Sequence, residues 1–247
     1  MDLVTLGTSA AYPTVERACS GYLIHDGDVR ILMDMGSGVV RNLMRWTDPG
    51  GLSAIILSHL HQDHFIDIYP LYYFLAYREV QNLPLDIYAP EGAREFILQI
   101  FPPGSERGVD RVYRFKSLED RGFFDVGGVR CQSIAVKHNL PAFGMRISGK
   151  QLLAYSSDTE FDEALFDIAS GSDLFICEAT KQADYKDVLH LTAKQAGLVA
   201  QKSGAKKLML THIWPEFDPA LSRQMAAEEY GGPIIIAEDN MLISMGS

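Results

Sequence analysis

Residues 57–65 read LSHLHQDHF: three histidines and an aspartate within six positions, directly after an apolar run. That run, SAIILS (53–58), is strand-like. The cluster therefore follows a strand end, where α/β folds commonly place their sites. Side chains at i and i+2 of an extended segment point the same way, so His59 and His61 converge on one point. Asp63 and His64 fall at the turn into the next helix and reach a second point. Two imidazoles toward one ion, with a carboxylate and an imidazole toward another, suit Zn²⁺ or Mn²⁺.

Four ligands do not fill two metal ions, and the rest of the chain supplies more. VKH ends at His138, YSSD at Asp158 and MLTH at His212, each after a strand-like run. Three further candidate ligands thus stand at strand ends, and Asp158, with two carboxylate oxygens, is the natural bridge. Of the remaining histidines, His25 in LIHDGD reads as an exposed turn residue. His190 in VLHLTAKQAG heads a predicted helix with Thr192 as its cap.

Composition sets the frame around this cluster. With 47% hydrophobic and 22% charged residues, the 247-residue chain has the material for a sizeable core and no disorder signature. No apolar run is long enough for a membrane helix. The opening MDLVTLG enters a strand-like pattern without a basic region, so no secretion signal is expected. Three widely spaced cysteines (Cys19, Cys131, Cys177) make no disulfide framework and fit a reducing cytoplasm. A net charge of −10, with only QKSGAKK (201–207) locally basic, weighs against a protein that grips long nucleic acid.

Strands and helices alternate along the chain. Strand signals lie at 3–7, 21–24, 29–34, 53–58, 85–89, 129–136, 144–148, 151–157, 173–179, 207–212 and 233–239. Helices are predicted at 38–46, 67–80, 91–101, 161–169, 192–203 and 219–230, and FPPGSERG (101–108) reads as a flexible loop. No repeat or linker divides residues 1–247, so one mixed α/β domain is expected. IDIYPLYYFLAYR (66–78) is unusually aromatic; it reads as a core or dimer-facing stripe in preference to a wall beside the site. DMGSG (34–38) reads as a strand-to-helix turn in preference to a phosphate cradle.

His-x-His-x-Asp-His followed by lone His, Asp and His at strand ends resembles the metallo-β-lactamase superfamily over nearly the whole length. The resemblance implies a four-layer αββα sandwich with two metal ions at one edge of the paired sheets. His59, His61 and His138 would bind the first ion, Asp63, His64 and His212 the second, and Asp158 would bridge. LGTSAAYPTVERACSGYLI (6–24), SSDTE around Asp158, CEAT (177–180), HLTAKQAG (190–197) and LTH (210–212) are similar to the ribonuclease Z branch. In that branch the Glu of a His-Glu-Ala-Thr motif orients the His of a His-Ser-Thr motif, which acts on the leaving group. The matching positions are Glu178 and His190, with Cys177 in place of the first motif's His and Leu191 in place of the second's Ser. Ribonuclease Z enzymes of this type also carry a long tRNA-gripping arm between the third histidine and the bridging aspartate. Here His138 and Asp158 are separated mainly by two short strand candidates, and the arm is missing.

The expected function follows. A water held between two divalent ions ionises near neutral pH, which would provide a bridging hydroxide as nucleophile, oriented by Asp63. His190, held by Glu178, would protonate the leaving alkoxide. A cleft without an arm favours small or accessible phosphodiesters: cyclic nucleotides, cyclic phosphates or short RNA ends. Processing of tRNA 3′ ends is the alternative, and lactone or thioester hydrolysis a further one. The expected assembly is a homodimer, as is usual for the family.

Overall fold

The computed structural model describes residues 1–78, 80, 83–183 and 189–246. Among them, two seven-stranded sheets stack face to face, each covered by helices on its outer side. The first sheet takes β1 (Asp2–Gly7), β2 (Gly21–Asp26), β3 (Val29–Met35), β4 (Ala54–Ile56), β5 (Leu85–Ala89) and β6 (Tyr113–Ser117) in that spatial order. The second takes β7 (Phe123–Val126), β8 (Val129–Val136), β9 (Ala142–Ser148), β10 (Leu152–Tyr155), β11 (Leu174–Glu178), β12 (Leu208–Thr211) and β13 (Ile234–Ile236). The last strand, β14 (Leu242–Ser244), returns to pair antiparallel with β1. Each sheet is antiparallel on one side and parallel on the other: β3 to β6 and β10 to β13 run parallel.

The period-two alternation of β-strands explains the layering. In β3, Ile31 and Met33 enter the core between the sheets while Leu32 enters the outer one. In β11, Leu174 and Ile176 face inward while Phe175 and Cys177 pack against the outer helices. Both faces are apolar because both are covered, as parallel strands require. Helices α1 (Val39–Leu43), α2 (Gln62–Phe65), α3 (Ile68–Ala76), α4 (Ala93–Leu98) and α5 (Glu106–Val112) cover the first sheet. Helices α6 (Ala164–Ala169), α7 (Ala193–Ser203) and α8 (Pro219–Ala227) cover the second.

The expected strands and helices are all present; the helices are shorter than expected, whereas β1, β2, β3 and β9 run one or two residues longer. The loop expected at 101–108 runs instead into α5 from Glu106, whose Val109 and Val112 are fully buried. His25 is not a turn residue: it lies in β2, half-buried, and burial beside Arg30 pushes its imidazole down. The aromatic helix, read to residue 80, ends at Ala76 with Tyr77 as C-cap; residue 79 lies outside the described residues. Its Ile68, Leu71 and Leu75 are buried and Tyr69, Tyr72 and Phe74 pack on the same core, while Tyr77 is 80% exposed. At the start of α1, Asp67 Oδ2 accepts a hydrogen bond from Val40 N at 2.8 Å. The chain's own carboxylate fills that turn, so DMGSG is no phosphate cradle.

Candidate metal centre

The parallel strands β4, β10, β11 and β12 end on one rim, and the chain leaving them carries the candidate ligands. His59 follows β4, and His61 is the extended N-cap residue of α2 (φ −73°, ψ 144°). Asp63 and His64 occupy the first turns of α2, inside the helix and not before it. His138 follows β8, Asp158 follows β10 and His212 follows β12.

These seven side chains converge. Ligand atoms of His59, His61, His138 and Asp158 lie within 4.8 Å of one another, as do those of Asp63, His64 and His212. His61 Nδ1 is 3.1 Å from His59 Nε2 and 3.2 Å from His138 Nε2. In the other group His212 Nε2 is 3.3 Å from both His64 Nε2 and Asp63 Oδ2. Asp158 Oδ2 lies between the groups, 3.8 Å from His59 Nε2, 3.3 Å from His64 Nε2 and 3.5 Å from His212 Nε2.

A second layer fixes the rings. Asp34, fully buried in β3, accepts from His64 Nδ1 at 2.8 Å and from the Ser58 backbone and hydroxyl at 2.7 and 2.8 Å. Ser58 Oγ in turn meets His59 Nδ1 at 3.1 Å, and Tyr155 OH donates to Asp34 at 2.8 Å. One carboxylate thus orients a histidine of each group. His138 Nδ1 donates to Leu189 O at 3.1 Å, and Thr180 Oγ1 accepts from His212 Nδ1 at 2.8 Å. With each Nδ1 engaged outward, the Nε2 lone pairs of His59, His64, His138 and His212 aim at the centre.

Such a donor set fits divalent cations. His64 Nε2 and His212 Nε2 face each other at 3.3 Å, two ring nitrogens directed at one point. Asp158 Oδ1 is buried without a hydrogen-bond partner. Burial pushes His59 well below the usual imidazole range and lowers His61 and His138, leaving neutral rings suited to ligation. Burial would also push His64 down, but the carboxylates of Asp158, Asp63 and Asp34 outweigh it and hold the ring well above its usual value. Burial would raise Asp63, yet His64 and His212 keep its carboxyl far below the carboxylate range. The field that draws a proton to this point also favours a metal ion there.

Backbone geometry adds strain at the rim. Ala11, Asp34, Ser157 and His212 all have positive φ, between 51° and 57°, a conformation costly for residues other than glycine. Ala11 N donates to Asp63 Oδ2 at 2.9 Å, so the loop after β1 reaches across to hold a candidate ligand. Arg17 secures that loop by donating to Thr8 O and, at 3.1 Å, to Ile213 O.

His190 and Glu178 stand beside the ligand cluster. His190 Nδ1 donates to Glu178 Oε1 at 2.9 Å. Glu178 is buried and also accepts from Thr159 N at 2.8 Å, Leu191 N at 3.2 Å and Thr180 Oγ1 at 2.7 Å. Burial would lower the His190 imidazole, but the Glu178 charge and hydrogen bond, with Asp158 behind them, raise it to about 9. His190 Nδ1 is only 3.9 Å from Asp158, yet its proton is committed to Glu178, which leaves Nε2 as the ring's reactive end. The helix that follows is capped as expected: Thr192 and Gln195 form a capping box at the start of α7.

Sequence reading missed Asp34, Ser58 and Thr180. Asp34 had a signal: an acidic residue inside the apolar run ILMDM (31–35) needs a partner if that strand is buried. Thr180 lies in the quoted CEAT stretch, two residues from Glu178, and its hydroxyl connects Glu178 to His212.

Comparison with known proteins agrees with this geometry. The family model described as a beta-lactamase superfamily domain matches residues 29–213. The chain is 28% identical over 252 residues to the probable metallo-hydrolase YhfI of Bacillus subtilis, covering 98% of this chain and 99% of that one. The YhfI crystal structure superposes with a TM-score of 0.89 at 25% identity, covering 98% and 99% of the two chains. The human short-form tRNase Z structure superposes with a TM-score of 0.81 at 26% identity, covering 100% of both. Ribonuclease Z of Halorubrum lacusprofundi is 28% identical over 300 aligned positions, covering 97% of this chain and 96% of that one. An alignment longer than the 247-residue chain means that this relative carries segments the chain lacks. By its sequence, its paired sheets and its histidine–aspartate cluster, the chain belongs to the beta-lactamase superfamily.

Proposed function

We propose that this metallo-hydrolase is a binuclear phosphodiesterase acting on small or accessible phosphodiesters: cyclic nucleotides, cyclic phosphates or short RNA ends. The observation that carries the reading is the Glu178–His190 pair, 2.9 Å apart and next to the proposed bridging carboxylate of Asp158. An expelled alkoxide is a poor leaving group and needs a proton, whereas a lactone or thioester hydrolase has no evident need of that pair. His59, His61 and His138 would hold one divalent ion, Asp63, His64 and His212 the other, with Asp158 between them. Zn²⁺ and Mn²⁺ both suit these ligands. When bound, two such ions supply an ionised water at neutral pH and offset the phosphodiester's charge.

The remaining work falls to side chains. Asp63, fixed by Ala11 N, orients the attacking water. Glu178 holds His190 in the imidazolium form by accepting a hydrogen bond from its Nδ1–H, and His190 delivers the Nε2 proton to the departing oxygen. Thr180 keeps Glu178 and His212 in register during the transfer.

Cleavage at tRNA 3′ ends is the second reading, favoured by the likeness to ribonuclease Z of Halorubrum lacusprofundi and to the human short-form tRNase Z. Against it stand the net charge of −10 and the segment between His138 and Asp158, which β9, β10 and their turns occupy. The test is hydrolysis of bis(p-nitrophenyl) phosphate by protein loaded with Mn²⁺ or Zn²⁺. Chelator-sensitive turnover supports the reading. No turnover with both metals verified bound by elemental analysis overturns it and turns attention to lactones and thioesters.

A further inference from the structure

Arg41 projects from α1 and Arg45 follows one turn later; both are exposed and line one cavity of about 260 Å³. Some basic side chains of this acidic protein are matched to carboxylates, as in Arg94–Asp110, Arg114–Asp86 and Lys206–Asp173. Arg41 and Arg45 are not: neither forms an ion pair or a side-chain hydrogen bond among the described residues. Like charges at i and i+4 repel, so an unmatched pair in a concave place favours a bound anion.

The cavity's acidic lining does not quench them. The Asp239 carboxylate is taken up by Ala18 N at 2.7 Å, Thr8 Oγ1 at 2.8 Å and Asn42 Nδ2 at 3.2 Å. Glu16, which also lines the cavity, is exposed and pairs with neither arginine.

The position relative to the metal centre gives the pair its meaning. Ala11, whose N–H holds Asp63, is two residues from Pro13, which lines the cavity. On the other side, a Cβ placed on Gly36 would lie 1.8 Å from Asp63 O, and Gly38, two residues on, lines the cavity as well. Two residues span at most about 7 Å, so by both routes a residue lining the cavity lies within about 10 Å of Asp63. The same loop, 11–17, borders both places.

We propose that Arg41 and Arg45 form a second phosphate subsite, which binds a non-reacting phosphate of a short single-stranded oligonucleotide whose neighbouring phosphodiester sits at the metal centre. This rests on the phosphodiesterase reading and narrows its substrate: chains with more than one phosphate are bound more tightly than a dinucleotide. The contact is to phosphate, so it carries no base preference.

The test is fluorescence anisotropy of metal-loaded protein with fluorescein-labelled di- and tetraribonucleotides bearing phosphorothioate linkages. Wild type is expected to bind the tetranucleotide more tightly, and Arg41→Gln/Arg45→Gln to lose that length preference. The slope of log affinity against log salt is expected to fall by about 0.7 for each arginine removed, the single-strand value per phosphate contact. Arg41→Lys/Arg45→Lys, which keeps the point charges, is expected to keep most of the preference. Equal binding of the two lengths by wild type, or an unchanged slope in the glutamine variant, overturns the subsite. Hydrolysis of bis(p-nitrophenyl) phosphate by the same wild-type preparation reports separately on the catalytic reading, so failure of either is visible alone.

Discussion

Asp34 Oδ2 accepts a hydrogen bond from His64 Nδ1 at 2.8 Å, a carboxylate and an imidazole with no exposed side-chain surface. Through Ser58 the same carboxylate also steadies His59, so one residue behind the site controls a histidine in each proposed ion's shell. Such second-layer partners typically matter by about 10–100-fold in metal affinity. Asp34→Asn is the informative change, because asparagine tolerates the positive φ of 56° at this position and isolates the charge from the backbone. The variant is expected to fold and to release metal during dialysis that leaves wild type loaded. Elemental analysis checks it, and equal retention would remove Asp34 from the account.

Asp158 separates a bridge from an ordinary ligand. Its Oδ2 faces His59, His64 and His212 together, whereas a ligand to one ion would face one group. Asp158→Ala is expected to lose both ions, while His138→Ala, at the edge of one group, loses chiefly one. Metal-to-protein ratios after gel filtration decide between them; two ions retained in Asp158→Ala refutes the bridge.

His190 is expected to matter in proportion to how badly the leaving group needs a proton. General acid catalysis contributes typically about 10²–10⁴-fold. His190→Ala should lose an amount of that order with a dinucleotide and much less with bis(p-nitrophenyl) phosphate, because p-nitrophenolate leaves unaided. Metal content should stay at the wild-type level, since the Glu178 carboxylate favours the imidazolium form of His190, which has no lone pair for a metal ion. Equal losses on both substrates would mean that His190 acts on something other than the leaving group.

The pH profile tests the Glu178 interaction. Glu178 raises His190 to about 9 against the downward push of burial. The acid form is then present at neutral pH and is lost as pH rises through that value, which sets an alkaline limb on turnover. Glu178→Gln removes the charge that raises the imidazole and leaves burial unopposed, so the limb moves to lower pH. Turnover against pH for a natural diester measures it. A limb that stays in place assigns it to another group.

The ligands were legible because each is a rare residue type placed directly after an apolar strand, and strand ends of a parallel sheet meet on one rim. His59, His61, Asp63, His64, His138, Asp158 and His212 needed only that topology to come together. The supporting groups were not, because the Asp34–Ser58, Asp34–His64 and Thr180–His212 contacts join residues 24 to 32 positions apart, in a register that only the assembled sheets provide. The edge strands were missed for another reason. YRFKS (113–117) and FFDV (123–126) have one exposed face and carry charges, so their apolar signal is half that of a buried strand. His25 was misread because its flanking Asp26-Gly27 turn overshadowed the strand that ends there.

Gly36 links the first sheet to the site and supports a last prediction. It follows β3, where a Cβ would lie 1.8 Å from Asp63 O and 2.5 Å from Cys19 Cβ. The carbonyl belongs to α2 and cannot yield as a flexible side chain would, so alanine must displace the helix that carries Asp63 and His64. Overpacking of this kind costs about 1–3 kcal/mol, equivalent to a Tm drop of roughly 2–4 °C for each kcal/mol in a domain of this size. Gly36→Ala is therefore expected to melt earlier and to bind metal more weakly at the Asp63, His64 and His212 group, with His59, His61 and His138 less affected. Calorimetry combined with metal titration reads both effects. Normal melting and two fully occupied ions would show that α2 can shift without consequence, and that the close contact at Gly36 is not what holds Asp63 in place.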